Sequence, residues 1–290
     1  MTATITRPNG VRASRRTARK RLRRRRLFAI LVALTAVLGI ASGVEQLGPP
    51  PQPKPDGPSG SWHLTFNDSF TGNTLNRHWW STCYDWDCTN AGNNELEWYK
   101  PGNVTVSDGL LHLTARQQTA HGKPYTSGMI QSNHKYVFRY GYMQIRTKLP
   151  AGRGMWPAFW TLSTDHSWPP EIDVFEALGD RPSRITMTVH TDERQTIQTA
   201  LSGIDFTAGY HDLGVDWEPG SLTWYVDGIV RMHENVSITK PQYLLVDLAV
   251  SGYDPPGSST VLPARMDVAS VRVWQHPGTP VLLPSGRQKR

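Results

Sequence analysis

PPEIDVFEALGD, residues 169–180, sets three carboxylates among β-branched and aromatic side chains. Alternation of this kind predicts a β-strand with one acidic face and one apolar face. Regular pleating would place Glu171 and Asp173 on the acidic face but would turn Glu176 into the core. A one-residue β-bulge at about Val174–Phe175 returns Glu176 to the acidic face. We therefore expect a bulged strand whose three acids face the same way.

Strand patterns also dominate the sequence around this stretch, from Ser61 to about residue 276. Runs rich in β-branched and aromatic residues alternate with clusters of Gly, Pro, Asn and Asp, and helical periodicity is almost absent. Examples are WHLTF (62–66), YVFRYGYMQIRTKL (136–149) and YLLVDLAV (243–250). This spacing predicts a single all-β domain of the sandwich or jelly-roll type.

The N-terminal residues have a different composition. Residues 1–44 contain eleven Lys or Arg and no acid, and they end in eighteen uncharged residues, 27–44. A basic run followed by an apolar segment predicts a signal peptide or a membrane anchor, and this length leaves both open. In either case the positive charges stay inside and the remainder is exported. We expect an extracellular protein, secreted or tethered to the outer face of the cell membrane.

A Pro-rich linker is predicted next, over residues 45–60, because six prolines fall within residues 46–60. This composition favours extended polyproline II and does not bury a core. The predicted folded domain then occupies residues 61–276, and residues 277–290 form a C-terminal tail.

The formal net charge of +7 belongs to the N-terminal segment. Without residues 1–44 the chain has 20 basic residues (31 − 11) and 24 acidic ones, a net charge of −4. The predicted domain therefore lacks the basic surface of a nucleic-acid-binding protein, and no nucleic-acid partner is expected.

The two cysteines, Cys83 and Cys88, are the only ones in the chain. In an exported protein this pair is most simply a disulfide that closes a small loop. A metal site would need further ligands, and no His or further Cys lies within four residues of the pair.

Tryptophan is abundant, with eleven residues in the chain. About half should lie in the core. Those near the cysteines, such as Trp86, and those before the acidic strand lie in polar segments. Aromatic side chains in polar loops hold flat amphipathic ligands, and sugar rings present such a face.

The acidic strand suggests glycoside chemistry. A retaining glycosidase needs two carboxyl groups roughly 5–5.5 Å apart, one as nucleophile and one as acid/base. We assign Glu171 as nucleophile and Glu176 as acid/base, its pKa raised by repulsion from the other acids. Asp173 can share a proton with Glu171. Two other interpretations are a calcium site and a solvated sheet edge, although calcium ligands come mostly from loops.

The motif E-x-D-x-x-E at Glu171–Glu176 resembles the bulged motif of glycoside hydrolase family 16. The segments NNELEWY (93–99), YGYMQIRTKLPAGRGMWPAFWTL (140–162) and LTWYVDG (222–228) are similar to blocks of that family, in the same order. The resemblance covers Trp62 to about residue 275. It implies a concanavalin-like β-jelly-roll of two curved antiparallel sheets, with a substrate cleft across the concave face. It also implies the same roles for the three acids.

Further residues are implied by position in the same family. The substrate-binding candidates are Trp156, Trp160, Asn94, His190, Arg146 and Trp86. Arg146 is included because Gln144 stands where the family commonly has Glu. Ala269 stands where several members have an Asp that helps bind structural calcium, so a structural calcium is left open and is not assigned. No cofactor and no metal ligand are predicted.

The resemblance implies an endo-acting enzyme on a β-glucan-type polysaccharide with β-1,3 or β-1,3/1,4 linkages. Alternatives within the family are a depolymerase of an acidic bacterial exopolysaccharide and a transglycosylase. A lectin-like, non-catalytic carbohydrate-binding domain is a further alternative. We expect a monomer whose partner is the polysaccharide, together with the membrane if the N-terminal segment is uncleaved.

Overall fold

The computed structural model describes residues 52–191 and 193–282. The predicted signal peptide or anchor and residues 45–51 of the predicted linker lie outside these residues. Within them, no helix is long and apolar enough to cross a membrane. The described chain is almost entirely β, with two short 3₁₀ helices, Ala91–Asn93 and Pro101–Asn103. The strands are β1 (His63–Asp68), β2 (Glu97–Tyr99), β3 (Val104–Ser107), β4 (Leu110–Ala115), β5 (Tyr125–Ser127), β6 (Met129–Gln131), β7 (Gly141–Lys148), β8 (Met155–Ser163), β9 (Glu171–Ala177), β10 (Arg184–His190), β11 (Thr196–Ser202), β12 (His211–Glu218), β13 (Ser221–Val226), β14 (Ile229–Glu234), β15 (Gln242–Val250) and β16 (Ala264–Gln275).

Two antiparallel sheets make up the sandwich. The eight-stranded sheet has the order β14-β13-β12-β7-β16-β4-β3, with β1 also paired to β16. The six-stranded sheet has the order β11-β10-β9-β8-β15-β6. A small parallel pair joins β2 to β5. The predicted all-β jelly-roll class is confirmed, and the acidic strand β9 lies inside the six-stranded sheet.

The core lies between the two sheets and follows the alternation of each strand. Phe175 on β9 and Val246 on β15 are fully buried from the six-stranded side, as are Met143 and Val215 from the eight-stranded side. Every residue of β15 is buried, because one of its faces packs in the core and the other forms the floor of a cleft. A continuous apolar run such as YLLVDLAV is typical of a strand covered on both faces.

The packed domain begins before the predicted boundary at residue 61. The Trp274 indole N–H donates to the carbonyl of Pro53 at 2.7 Å, and the Tyr142 hydroxyl donates to that of Asp56, also at 2.7 Å. Gly57 lies so close to the Tyr225 ring that a Cβ there would come within 2.4 Å of it. Residues 53–60 are therefore part of the folded surface, because aromatic donors of the eight-stranded sheet hold their carbonyl groups.

The C-terminal boundary shows the same effect. His276 stacks on Trp62 with 3.9 Å between ring centroids. Leu282, in the predicted tail, packs against the apolar cluster that includes Tyr84 and Leu245. The first residues after 276 therefore also contact the domain.

Candidate active site

The predicted bulge is present in β9. Along β8, Phe159 pairs with Phe175 while Trp160 pairs with Asp173, which leaves Val174 as the extra residue. The register to β10 shifts at the same point. Val174 and Phe175 both enter the core, at 2% and 0% exposure.

The three acids of β9 consequently face the same cleft, as predicted. We call Glu171, Asp173 and Glu176 the cleft trio. Glu171 and Glu176 are half-buried and Asp173 is buried between them. The cleft has a volume of about 630 Å³ and its floor is the outer face of the six-stranded sheet. Alternate residues of the neighbouring strands complete this floor, as the twofold periodicity of a strand requires.

Two indole groups hold the outer members of the cleft trio. The Trp156 N–H donates to Glu176 Oε1 at 3.0 Å, and the Trp168 N–H donates to Glu171 Oε2 at 2.6 Å. Each indole is a donor only, so it favours the ionised form of the carboxyl group that it contacts.

Burial raises the pKa of all three acids. It raises the pKa of Glu171 to about 7, an effect opposed by hydrogen bonds from Asp173 and Trp168. The pKa of Asp173 is raised well above its usual range by burial and then by the charges of Glu171 and Glu176. The hydrogen bond between Asp173 and Glu171 lowers the pKa of Glu171 and raises that of Asp173. Both directions favour a proton on Asp173 over a proton on Glu171.

The pKa of Glu176 is also raised, but the cause differs from the prediction. Burial is the main contribution, and the hydrogen bond from Trp156 opposes it. Repulsion from the other acids was the predicted cause; the charge of Glu176 instead contributes to the raised pKa values of Glu171 and Asp173.

Four of the predicted binding residues line the cleft. Trp160 is buried at 9% exposure, and its indole N–H is held by Asp247 at 2.6 Å. Trp86 is 51% exposed and stacks on Tyr84 at 4.5 Å between centroids. The other two are Trp156 and His190.

His190 lies directly beside the acids. Its Nε2 is 3.7 Å from Asp173 Oδ2, and its Nδ1 makes a hydrogen bond with the Thr196 hydroxyl at 3.0 Å. Burial lowers the pKa of His190, which favours the neutral ring.

The prediction for Arg146 is wrong. Arg146 lies on β7 in the eight-stranded sheet, where its neighbours Met143 and Ile145 are buried in the core. Its own side chain is exposed and paired with Asp212 of β12. Alternation along β7 sends Arg146 to the face opposite the core, on the sheet that does not form the cleft.

Asn94 is exposed and does not line the cleft; Asn90 and Asn93 line it instead. Asn94 has a left-handed backbone, with φ of 54°, and its carbonyl accepts from Gly252 at 2.9 Å. The prediction for Asn94 therefore identified the loop but not the side chain that lines the cleft.

A second set of three acids was not predicted. Glu95, Glu97 and Asp247, which we call the buried trio, are 3%, 0% and 3% exposed. Burial raises the pKa of each member. The hydroxyl groups of Tyr84 and Tyr99 donate to Glu95 and Asp247, both at 3.4 Å. The sequence signal that could have revealed the buried trio was Asp247 within the apolar run LLVDLAV (244–250), because a carboxyl group in such a run must be buried.

Trp168 was named only as part of a tryptophan cluster, yet it contacts Glu171. Its side chain is 61% exposed and lies 5.5 Å from the His190 ring, centroid to centroid. Its position three residues before the first acid was the available signal.

The cleft continues past Glu176 into a second groove of about 570 Å³. Trp156 and Glu176 line both parts. The second groove contains two exposed guanidinium groups, Arg181 and Arg184, and one exposed aromatic residue, Tyr253. Aromatic side chains therefore predominate on the Glu171 side, whereas the second groove combines the two guanidinium groups with Asp254 and Tyr253.

The disulfide between Cys83 and Cys88 is present, as predicted. At Ala269 the side chain offers no oxygen, and the nearby carboxyl group of Asp267 is engaged by His112 and Arg265, both at 2.7 Å. Glu171, Asp173 and His190 each place one ligand atom within 4.8 Å of the others and could hold a cation.

The sandwich, the bulged acidic strand and the aromatic cleft together define a class of carbohydrate-active β-jelly-roll proteins. Residues 92–255 match the family model described as glycosyl hydrolases family 16. The chain belongs to this family.

One relative is the endo-1,3-1,4-beta-glycanase EglC of Rhizobium meliloti (strain 1021). It is 34% identical over 231 residues, which cover 73% of this chain and 49% of that protein. The chain thus spans about half the length of this relative.

Two solved structures resemble the fold. One is the catalytic domain of an endo-1,3-beta-glucanase (laminarinase) from Thermotoga petrophila RKU-1, with a TM-score of 0.70 and 27% identity over 75% of this chain and 99% of that chain. The other is an endo-beta-1,3-glucanase from Pyrococcus furiosus, with a TM-score of 0.68 and 32% identity over 74% of this chain and 94% of that chain.

Proposed function

We propose that this protein is a retaining endo-β-glycanase that hydrolyses internal β-1,3 or β-1,3/1,4 linkages of a β-glucan-type polysaccharide. The observation that carries the proposal is the cleft trio on one bulged strand, at the floor of an aromatic cleft that extends to both sides of Glu176. A cleft open in both directions admits a long chain and favours cleavage at internal bonds.

In the first step the Glu171 carboxylate attacks the anomeric carbon. Glu176 donates its proton to the glycosidic oxygen, so that the leaving sugar departs as an alcohol. A covalent ester between Glu171 and the glycosyl unit results. Asp173 donates a hydrogen bond to Glu171, and this bond orients the nucleophile. Glu171 no longer needs that orientation once the ester has formed.

In the second step Glu176, now ionised, removes a proton from water. The resulting hydroxide attacks the anomeric carbon and displaces Glu171, which regenerates both carboxyl groups. Two inversions give net retention. Trp156 helps in this step, because its N–H stabilises the ionised form of Glu176.

The substrate class is supported by the names of the relatives, which are β-glucanases and β-glycanases. Trp86, Trp160 and Trp168 supply flat apolar surfaces on the Glu171 side, as sugar binding requires. We propose that the protein is exported, on the composition of residues 1–44, which lie outside the described residues. We also propose that it acts as a monomer.

A depolymerase of an acidic exopolysaccharide is the second candidate. The specific observation in its favour is the pair Arg181 and Arg184 in the groove beyond Glu176. Arg184 has no ion pair among the described residues, so its charge is available to a carboxylate-bearing sugar. Transfer to a second sugar instead of water would need an acceptor in the same groove.

A product profile on a panel of polysaccharides tests the proposal. Laminarin, a mixed-linkage glucan and a carboxylated exopolysaccharide should be compared, with the first two cleaved to oligosaccharides of several lengths. NMR of the first-formed reducing ends should show the β-anomer. Early α-anomer would exclude Glu171 as nucleophile, and cleavage of the acidic polymer alone would favour the second candidate. Binding without cleavage would favour a lectin-like domain.

A further inference from the structure

Three metal-ligating side chains from three separate loops meet beside the far end of the cleft. Asp85 lies between the disulfide cysteines, His134 follows β6, and His166 follows β8. Each places one ligand atom within 4.8 Å of the other two. His134 Nε2 is 3.4 Å from Asp85 Oδ2, and the two imidazole centroids are 6.4 Å apart. All three side chains belong to exposed residues that an ion can reach from solvent.

We propose that Asp85, His134 and His166 bind a divalent transition-metal ion, for which Zn²⁺ is the best match. Zinc takes imidazole nitrogen and carboxylate oxygen at roughly 2.0–2.2 Å in a tetrahedron. Ligand atoms at those distances lie about 3.3–3.5 Å apart, and the Asp85–His134 separation already meets this value. Two imidazoles and one carboxylate suit zinc far better than calcium, which prefers six to eight oxygen ligands.

A second observation is the fixed orientation of the Asp85 carboxylate. The Gln131 amide donates to Asp85 Oδ1 at 3.1 Å, and the Asn133 amide donates to Asp85 Oδ2. Both amide residues are buried, at 1% and 2% exposure. Outer-shell hydrogen bonds of this kind orient the ligands of metal sites. These two donors hold the Asp85 carboxylate beside His134 before any ion binds.

The bound ion would join the three loops at one end of the cleft. Trp86 follows Asp85 directly, and Trp168 lies two residues after His166. Both tryptophans line the cleft, and Trp168 contacts Glu171. The ion would leave one coordination position open to water, and it would restrict the loops that carry these aromatic side chains.

The test is a calorimetric titration of the full chain, stripped with EDTA, with Zn²⁺ and separately with Ca²⁺. We expect one Zn²⁺ per chain at this site and no comparable Ca²⁺ binding. His134→Ala and Asp85→Asn should each weaken Zn²⁺ binding at least tenfold, since even outer-shell changes typically cost 10–100-fold. The matched control is His63→Ala, an exposed histidine on β1, which should bind as the unaltered protein does.

Zinc at the other close cluster, Glu171, Asp173 and His190, must be distinguished. His190→Ala removes a ligand of that cluster and should still bind Zn²⁺ at the proposed site. His134→Ala removes a ligand of the proposed site and should no longer bind Zn²⁺ there. Co²⁺ should show the visible absorption of a tetrahedral complex in the unaltered protein and in His190→Ala only. Equal Zn²⁺ affinity in the unaltered protein and His134→Ala would overturn the proposal, as would loss of the site in His190→Ala. An unchanged unfolding temperature of His134→Ala in EDTA shows that this variant is folded.

Discussion

The cleft trio and the buried trio have the same composition of two Glu and one Asp, yet their surroundings differ. Burial raises the pKa of every member of both. Glu171 and Glu176 are half-buried and open to the cleft, whereas the buried trio is at most 3% exposed; Glu95 and Asp247 lie in the wall of the same cleft, and Glu97 does not. A raised pKa therefore marks crowded carboxyl groups in general. Access to a reacting atom distinguishes a catalytic set from a structural one.

The largest expected difference between the two trios comes from the same substitution in each. Glu171→Gln removes the nucleophile and should lower kcat by roughly 10⁴–10⁶, the scale seen when a covalent mechanism loses its central group. Glu97→Gln should leave kcat within about threefold, because this carboxyl group is fully buried and does not line the cleft. Initial rates on one soluble β-glucan measure both. Comparable losses would show that both trios take part in the reaction.

The next effect concerns the role of Glu176 within the cleft trio. Glu176→Ala should lower the rate on a natural polysaccharide by roughly 10²–10⁴, the usual contribution of general acid catalysis. An aryl glycoside with an acidic phenol needs little protonation and should lose far less. Azide should then restore turnover and yield a β-glycosyl azide. If Glu171→Ala instead showed this discrimination and rescue, the two roles would be reversed.

A smaller effect should appear in the pH profile, which we expect to be bell-shaped. Trp168 favours ionised Glu171, so Trp168→Phe should raise the pKa of Glu171 and move the acidic limb to higher pH. Trp156→Phe should raise the pKa of Glu176 and move the basic limb to higher pH. Each shift should be roughly 0.5–1 unit, since 1.36 kcal/mol corresponds to one unit. The measurement is kcat/KM against pH; a shift of either limb to lower pH would contradict the assignment of the donors.

The smallest effect is on stability and concerns the buried trio. Its folded-state pKa values are raised, so its contribution is fully present at low pH and is lost as pH rises through the folded pKa. Glu97→Gln mimics the neutral acid. It should change the free energy of unfolding at acidic pH by about 1 kcal/mol or less, and it should flatten the decline at higher pH. Urea unfolding at several pH values measures this, and an unchanged slope would mean that Glu97 does not titrate in the folded protein.

Local sequence patterns were enough to predict the bulged strand. Glu176 in the core would leave a buried charge without a partner, so the parity of the acids alone requires the extra residue at Val174. Arg146 was predicted wrongly, because proximity to a motif in the sequence does not reveal which sheet a residue joins. Clusters whose members are far apart in the sequence could not be predicted. Asp85 and His166, for example, are brought together only by the fold. The N-terminal edge of the folded domain, residues 53–60, was not predicted. A proline-rich composition does not show which carbonyl groups will accept hydrogen bonds from the domain.

The bulge at Val174 makes the distance between the two glutamates depend on chain length as well as on residue type. Deletion of Val174 would shorten the motif to E-I-D-F-E, in which the three acids occupy alternate positions, so a regular pleat would also keep Glu171, Asp173 and Glu176 on the cleft face. The bulge is therefore needed only because the strand carries this extra residue. A Val174 deletion variant that folds should still cleave oligosaccharides, which equilibrium binding and rate assays on the same preparation would show. The length of β9 and its bulge thus change together, and a one-residue deletion at this point is a change that evolution of this cleft can tolerate.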